Sequence, residues 1–323
     1  MIIVTGGAGF IGSAFVWKLN EMGRDDVVVV DNLGHSEKWR NLVNRSYLDY
    51  VHKDTFLDMV LDDQLHWDVE AIVHMGACSS TTETDADYLM DNNFRYSKAL
   101  CRWALEHGVR FVNASSASTY GDGTQGFSDD PALIQGLKPL NMYGYTKQLF
   151  DLWALREGAV ATIPSLKFFN VFGPNEYHKD SMRSVVCKAF LQILETGRMQ
   201  LFKSTVEGLE HGGQQRDFIY VKDVAEVLWW LLEHPEVNGV FNVGTSVARS
   251  FHDLAVAVFK AMGRETAIDF VDMPESLRPK YQSYTKAEME RLGATGCPIE
   301  FMCLEDAILD YVQGYLAAGD PFL

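Results

Sequence analysis

Tyr143 and Lys147 stand four residues apart in the stretch Met142-Tyr-Gly-Tyr-Thr-Lys147, and on a helix that spacing puts both on one face. A phenol then lies beside an ammonium. Free in water, a tyrosine has a pKa of about 10 and is a poor base at neutral pH, but a fixed positive charge within a few ångströms favours its phenolate. The pair therefore reads as a device for moving protons. Each of the other tyrosines lacks a lysine four positions on. Upstream, Ser116 follows the β-rich run Val109–Ser115, where its hydroxyl could bond a substrate oxygen and share its proton with Tyr143. Serines after strands are also ordinary turn residues, so Ser116 acquires a role only through its neighbours.

These side chains need a frame to position them, and the start of the chain supplies its signature. Met1–Thr5 is a short apolar run entering Gly6-Gly-Ala-Gly9-Phe-Ile-Gly12, followed by an amphipathic helix from about Ser13 to Met22 and a second apolar strand, Val27–Val30, ending in Asp31. Glycines at Gly6, Gly9 and Gly12 let backbone amides approach a pyrophosphate, and the helix start adds unpaired N–H groups and a positive dipole end. An acid at Asp31 commonly takes the ribose hydroxyls of the adenosine, which by itself favours NAD. Lys38 and Lys53 follow closely, either to hold a 2′-phosphate or as plain surface lysines.

Val69–His74 reads as a further buried strand with Met75-Gly-Ala-Cys-Ser79 at its end, and Asp91–Leu105 as a helix closed by Gly108. Cys78 has no base near it in sequence and reads as a small buried residue. Alternating strands and helices imply an α/β fold, a doubly wound parallel sheet with a smaller α/β substrate-side part. After Pro174 the loops lengthen, notably over Lys203–Gln215; Arg216–Ala225 leads into a helix with Trp229 and Trp230, Gly239–Gly244 looks like one more strand, and helices are expected near 251–262 and 303–317. The expected division is 1–169 for the dinucleotide side, with 218–249 and about 284–297 returning to it, and 170–217, 250–283 and 298–323 for the substrate side.

Composition narrows the partners. The 323 residues carry a formal net charge of −16, which argues against general nucleic-acid binding, where phosphates must be neutralised by clustered Lys and Arg. The five cysteines form no C-x-x-C pair and the nine histidines show no H-x-x-x-H spacing, so neither a disulfide framework nor a metal is expected. No secretory leader is evident, and the longest apolar run, Val227–Leu232, is far too short for a membrane span. A reducing cytoplasm is the expected location.

Gly6, Gly9, Gly12, Ser116, Tyr143 and Lys147 together resemble the extended short-chain dehydrogenase/reductase family, whose members bind NAD(P) and act on nucleotide sugars. Gly76-Ala-Cys-Ser-Ser-Thr-Thr-Glu83, Met90–Asn93, Pro139–Tyr145, Phe169–Pro174 and His178-Lys-Asp-Ser-Met182 narrow this to a resemblance to the ADP-heptose 6-epimerase family, over nearly the whole chain. The resemblance implies inversion of C6″ of an ADP-heptose destined for lipopolysaccharide, with NADP as cofactor and a homo-oligomer, commonly a pentamer. It implies Tyr143 and Lys179 as acid and base, with Ser116 and Lys147 assisting. Cofactor contacts would come from Gly6, Gly9, Phe10, Ile11, Gly12, Asp31, Asn32, Lys38, Lys53, Met75, Gly76, Ala77, Cys78, Ser79, Asn92, Lys147, Val171 and Lys179. Substrate contacts would come from Ser116, Asn170, Ser181, Lys188, Phe202, Lys203, Ser204, Thr205, Arg216 and Tyr281.

The chain departs from that pattern at Asn175, where Arg is expected, at Lys188, where His is expected, and in a longer loop before Arg216. Inverting an unactivated carbinol requires C–H cleavage, and the hydroxyl occupies two orientations during the inversion, so two proton-transfer groups are reasonable. Lys179 would need a lowered pKa from burial or from nearby positive charge, its alternative role being to grip the ADP phosphates. A 4,6-dehydratase would carry an acid beside the serine, and Ser115-Ser-Ala-Ser118 has none. A non-catalytic sensor of the same fold would lack Tyr143 or Lys147.

Overall fold

β-Branched residues at Val27–Val30 and in Ile2-Ile-Val-Thr5 make strands that are buried on both faces, as a parallel sheet covered by helices demands. The structure, a computed structural model, describes residues 1–275 and 281–323; residues 276–280, part of the expected 250–283 segment, lie outside the described residues. In chain order its strands are β1 (Ile2–Thr5), β2 (Val27–Asp31), β3 (Asp49–His52), β4 (Ala71–His74), β5 (Arg110–Ser116), β6 (Pro164–Phe168), β7 (Asn170–Phe172), β8 (Met199–Phe202), β9 (Gln215–Tyr220), β10 (Gly239–Val243), β11 (Ala248–Ser250) and β12 (Ile268–Val271). Seven of them pair in parallel in the order β10-β6-β5-β4-β1-β2-β3. The winding reverses between β1 and β4, which opens a crevice at the carboxyl ends of the strands.

Period-two alternation decides what each face buries. Ile2, Val4, Val27, Val29, Val73 and Leu166 pack against Phe15, Val16 and Leu19 of the first helix and Val224, Val227 and Leu228 of the helix Val221–Glu233. Ile3, Val28, Val30, Ile72 and Phe111 pack on the other face against Phe56, Leu100, Phe150 and Trp153. Each fully buried side chain of this size contributes roughly 1.5–3 kcal/mol. A separate core of Val186, Phe190, Ile193, Leu254, Val258, Ile308 and Tyr311 supports β8, β9 and β12 beside the sheet.

Several boundaries differ from the sequence reading. The first helix begins at Phe10 rather than Ser13, because Gly9 takes the N-cap position and the turn runs directly into the helix. Ser116 closes β5 instead of following it. The Asp91–Leu105 stretch is a wide π-type turn at Met90–Arg95 that continues as the helix Tyr96–Glu106. The helix expected near 303–317 runs over Leu304–Tyr311 and gives way to a second π turn, Val312–Leu316. β3, an edge strand with partly exposed residues, has too little apolar patterning to be read in advance. No helix among the described residues is long and apolar enough to cross a membrane.

Candidate active site

A cleft of about 610 Å³ opens over the carboxyl ends of the central strands. Its floor is the glycine turn. Gly6 has φ +64°, and a Cβ there would come within 2.7 Å of the Gly76 backbone, while one on Gly12 would meet the Gly6 carbonyl at 2.1 Å. These glycines are required where two backbones touch and where helix meets turn. The helix Phe10–Glu21 starts at Gly9 with no side-chain cap and no acid in its first turn, so its positive end faces the cleft uncompensated. Asp31 ties the turn to β2: its carboxylate accepts from the Ala8 amide at 2.9 Å, the Asn32 amide at 2.7 Å and Lys38 Nζ at 2.6 Å. This donor set suits the pyrophosphate and ribose of a dinucleotide.

Tyr143 is placed by its own helix. Asn141 caps Met142–Arg156 by accepting from the Gly144 amide at 2.8 Å, which puts Tyr143 in the first turn. Gly144 lets that turn approach Ser118, whose carbonyl a Cβ would meet at 2.7 Å. The phenol thereby reaches Ser116. Burial raises the Tyr143 pKa, and the hydrogen bond with Ser116 acts against that rise. This corrects the expectation that Lys147 would pull the phenol down. Lys147 is 3% exposed and its Nζ donates to the Ala114 carbonyl at 2.7 Å; burial pushes it down to about 8, with Asp151 opposing. Desolvation outweighs the local helix spacing here.

Lys179 enters the cleft from a different element, the 3-10 segment Tyr177–Met182, with Nζ 5.2 Å from the Phe10 ring centroid. Burial lowers its pKa, Lys188 lowers it further and Glu176 raises it. Both of the causes anticipated for a lowered lysine pKa are therefore present. His178 beside it is lowered to about 4, by burial first and then by Lys179 and Lys38, so it is neutral at neutral pH.

Of the expected residues, the cleft collects Gly6, Gly9, Phe10, Ile11, Gly12, Asp31, Asn32, Lys38, Lys53, Met75, Gly76, Ala77, Cys78, Ser79, Asn92, Ser116, Tyr143, Lys147, Asn170, Val171 and Lys179. Lys53 lines it with its Nζ paired to the neighbouring Asp54 at 2.8 Å. Ser181 and Lys188 are exposed outside its lining. Phe202, Arg216 and Tyr281 form a second cluster. The Arg216 guanidinium lies 5.1 Å from the Tyr281 ring and 5.5 Å from Phe251, it donates to the carbonyls of Gln215 and Gln282, and Phe202 meets Tyr281 edge-on at 6.2 Å. Lys203 pairs with Asp272 at 3.1 Å, the Ser204 hydroxyl donates to the Val206 carbonyl, and Thr205 is exposed. Asn175 faces inward: its Nδ2 donates to Ser13 Oγ at 3.0 Å and its Oδ1 accepts from the Leu323 amide at 3.0 Å. Sequence reasoning missed Tyr88, Tyr96, His178 and Met182 in the lining. His178 and Met182 were inside a quoted motif, whereas the two tyrosines gave no signal beyond helix periodicity.

The profile of the NAD dependent epimerase/dehydratase family matches residues 2–244. A protein of Nitratidesulfovibrio vulgaris (strain DP4) named ADP-L-glycero-D-manno-heptose-6-epimerase is 67% identical over 323 residues, covering 100% of both chains. One of the same name from Fusobacterium nucleatum is 46% identical, again over 100% of both. Among solved structures, the Helicobacter pylori ADP-L-glycero-D-manno-heptose-6-epimerase superposes with a TM-score of 0.82 at 26% identity, covering 98% of this chain and 96% of that one. The Thermus thermophilus UDP-glucose 4-epimerase in complex with NAD gives a TM-score of 0.78 over 98% of this chain and 99% of that one, at 24% identity, a likeness of fold alone. With a glycine turn, a Ser–Tyr–Lys constellation and full-length identity of this order, the chain belongs to the NAD-dependent epimerase/dehydratase family, within its ADP-L-glycero-D-manno-heptose-6-epimerase group.

Proposed function

We propose that the chain converts ADP-D-glycero-β-D-manno-heptose to ADP-L-glycero-β-D-manno-heptose by transient oxidation at C6″ and re-reduction of the ketone from its opposite face, with NADP as the bound dinucleotide. The observation that carries the reading is the convergence of two proton-transfer groups, Tyr143 and Lys179, on one cleft from unrelated elements. When bound, the dinucleotide supplies a reversible hydride acceptor. The glycine turn and helix start would hold its pyrophosphate, Asp31, Asn32, Lys38 and Lys53 its adenosine end, and Lys147 its nicotinamide ribose. The ion pair of Lys38 with Asp31 supports NADP, since it offsets the carboxylate's repulsion of a 2′-phosphate.

Ser116 and Tyr143 hold the C6″ oxygen in one orientation, with the phenol exchanging its proton. After the sugar turns about C5″–C6″, the oxygen lies where Lys179 serves the same purpose. Burial lowers the Lys179 pKa, which brings the neutral amine that can accept a proton within easier reach. Arg216, Tyr281 and Phe202 would clasp the nucleotide end of the substrate. The division of the chain into a dinucleotide side and a substrate side belongs to the same proposal.

The test is to incubate the purified protein with ADP-D-glycero-β-D-manno-heptose in deuterium oxide and read C6″ by NMR. Inversion without deuterium at C6″ is expected, and deuterium there rules out the internal redox cycle. Mass spectrometry of the nucleotide released on denaturation should find NADP. Finding chiefly NAD, or equal loss of NAD and NADP affinity in Lys38→Ala, removes the phosphate role of Lys38.

A further inference from the structure

Beneath Ser116, Tyr143 and Lys147 lies a charge couple that the reaction as described leaves without a task. Tyr143, Lys147 and Asp151 recur every four residues along the helix Met142–Arg156. Asp151 is fully buried and accepts from Ser115 Oγ at 2.7 Å, Ser165 Oγ at 2.7 Å and Lys167 Nζ at 2.9 Å. Lys167 is buried as completely, and its Nζ also donates to Thr119 Oγ1 at 2.7 Å, which in turn donates to the Ser116 carbonyl at 2.8 Å. Lys147 holds the Ala114 carbonyl. Ala114 is thus held by Lys147, Ser115 by Asp151, and Ser116 by Thr119, whose hydroxyl accepts from Lys167.

We propose that Asp151 and Lys167 are positioning residues whose opposed charges set the protonation state of Lys147, and with it the pH range over which the site is competent. This rests on the proposed role of Lys147 as the cation that assists Tyr143. A lysine this deeply buried is driven toward its neutral form, and Asp151 is the group that acts against that drive. The other groups disposed around Lys147 do not replace it. Tyr143 on the same helix is a phenol held up by burial, and His74 at the end of β4, lowered to about 3, is neutral and bonded to Thr5 and Ser97. Cys78 faces Tyr143 from beyond β4, and Lys167 on β6 carries the same sign as Lys147. Asp151 favours the Lys147 cation, whereas Lys167, paired with Asp151 and of the same sign as Lys147, opposes it by charge repulsion. Removing the one should therefore lower the Lys147 midpoint, and removing the other should raise it.

The measurement follows the Lys147 Cε resonance against pH in full-length protein labelled at lysine, assigned by its absence in Lys147→Met. In Asp151→Asn the Lys147 midpoint should fall by roughly one pH unit, the lower end of what a close charge does to a titrating group. In Lys167→Met it should rise. The doubly neutral variant Asp151→Asn/Lys167→Met, of the kind that folds well when a buried pair is exchanged whole, should show a smaller fall, so it decides the matter even where a single variant does not fold. Midpoints equal to the parent's in every folded variant, or both single variants moving the same way, overturn the proposal. If the midpoints move as stated but Lys147→Met still turns over substrate, the role given to Lys147 fails and the charge couple stands.

Discussion

The two candidate proton-transfer groups are held by opposite kinds of structure. Tyr143 sits in the first turn of a 15-residue helix, capped by Asn141 and backed by the sheet and the Asp151–Lys167 pair. Lys179 sits on a short irregular segment in which Asp180 has φ +46° and the preceding Asn175 has φ +75°, both in a region costly for residues with a Cβ. That segment is fastened by side chains far apart in sequence. Glu176 accepts from the Gly173 amide at 3.3 Å, Ser184 Oγ at 2.7 Å and Tyr311 Oη at 3.1 Å, Tyr177 Oη donates to the Pro321 carbonyl at 2.7 Å, and Asn175 bridges Ser13 and Leu323. A helix takes most of its geometry from its own backbone, whereas a loop of this kind takes it from distant partners. The difference teaches that the phenol's position should survive local damage and the lysine's should not.

Tyr143→Phe should give the largest effect, a loss of epimerisation by about 10²–10⁴-fold, the scale of removing a general acid–base. The helix should be intact and the dinucleotide still retained; residual activity above a tenth of the parent's would remove Tyr143 from the chemistry. Lys179→Met comes next, with kcat lowered by about 10²-fold. Should KM alone rise while kcat holds at saturating substrate, Lys179 grips phosphate and the two ends of the cleft are not equivalent after all.

Glu176→Ala tests how the loop is fastened. It leaves the partners of a buried carboxylate unpaired, and a stability loss of about 1–3 kcal/mol is expected from denaturant unfolding. Because the same carboxylate opposes the lowering of the Lys179 pKa, kcat should also fall and its pH profile should shift downward. An unchanged profile would mean that the loop holds Lys179 without Glu176. Asn141→Ala should be mildest, costing about 1 kcal/mol of stability through the lost cap and less than threefold in kcat. A kinetic effect as large as that of Glu176→Ala would erase the contrast between the helix-borne and the loop-borne group.

Local chemistry carried much of the site. The glycine turn, Asp31 at a strand end, and Tyr143 with Lys147 one turn apart are patterns of neighbouring residues, so their types and spacing determine a strand–turn–helix crevice and a phenol–ammonium face before any folding is known. The doubly wound sheet was legible for the same reason, because strands buried on both faces read as continuous apolar runs. Lys179 had no periodicity to announce it and was reached through resemblance alone. Tertiary structure decided the rest. It turned Lys147 onto the Ala114 carbonyl and raised the Tyr143 pKa, because burial acts through every surrounding element and the spacing of two residues on a helix does not report it. It paired Lys53 with Asp54, gathered Arg216, Tyr281 and Phe202 away from the cleft, and turned Asn175 inward onto Ser13 and Leu323. Most of those contacts join segments separated by tens to hundreds of positions along the chain, and only the closure of the chain on itself brings such partners within hydrogen-bonding distance.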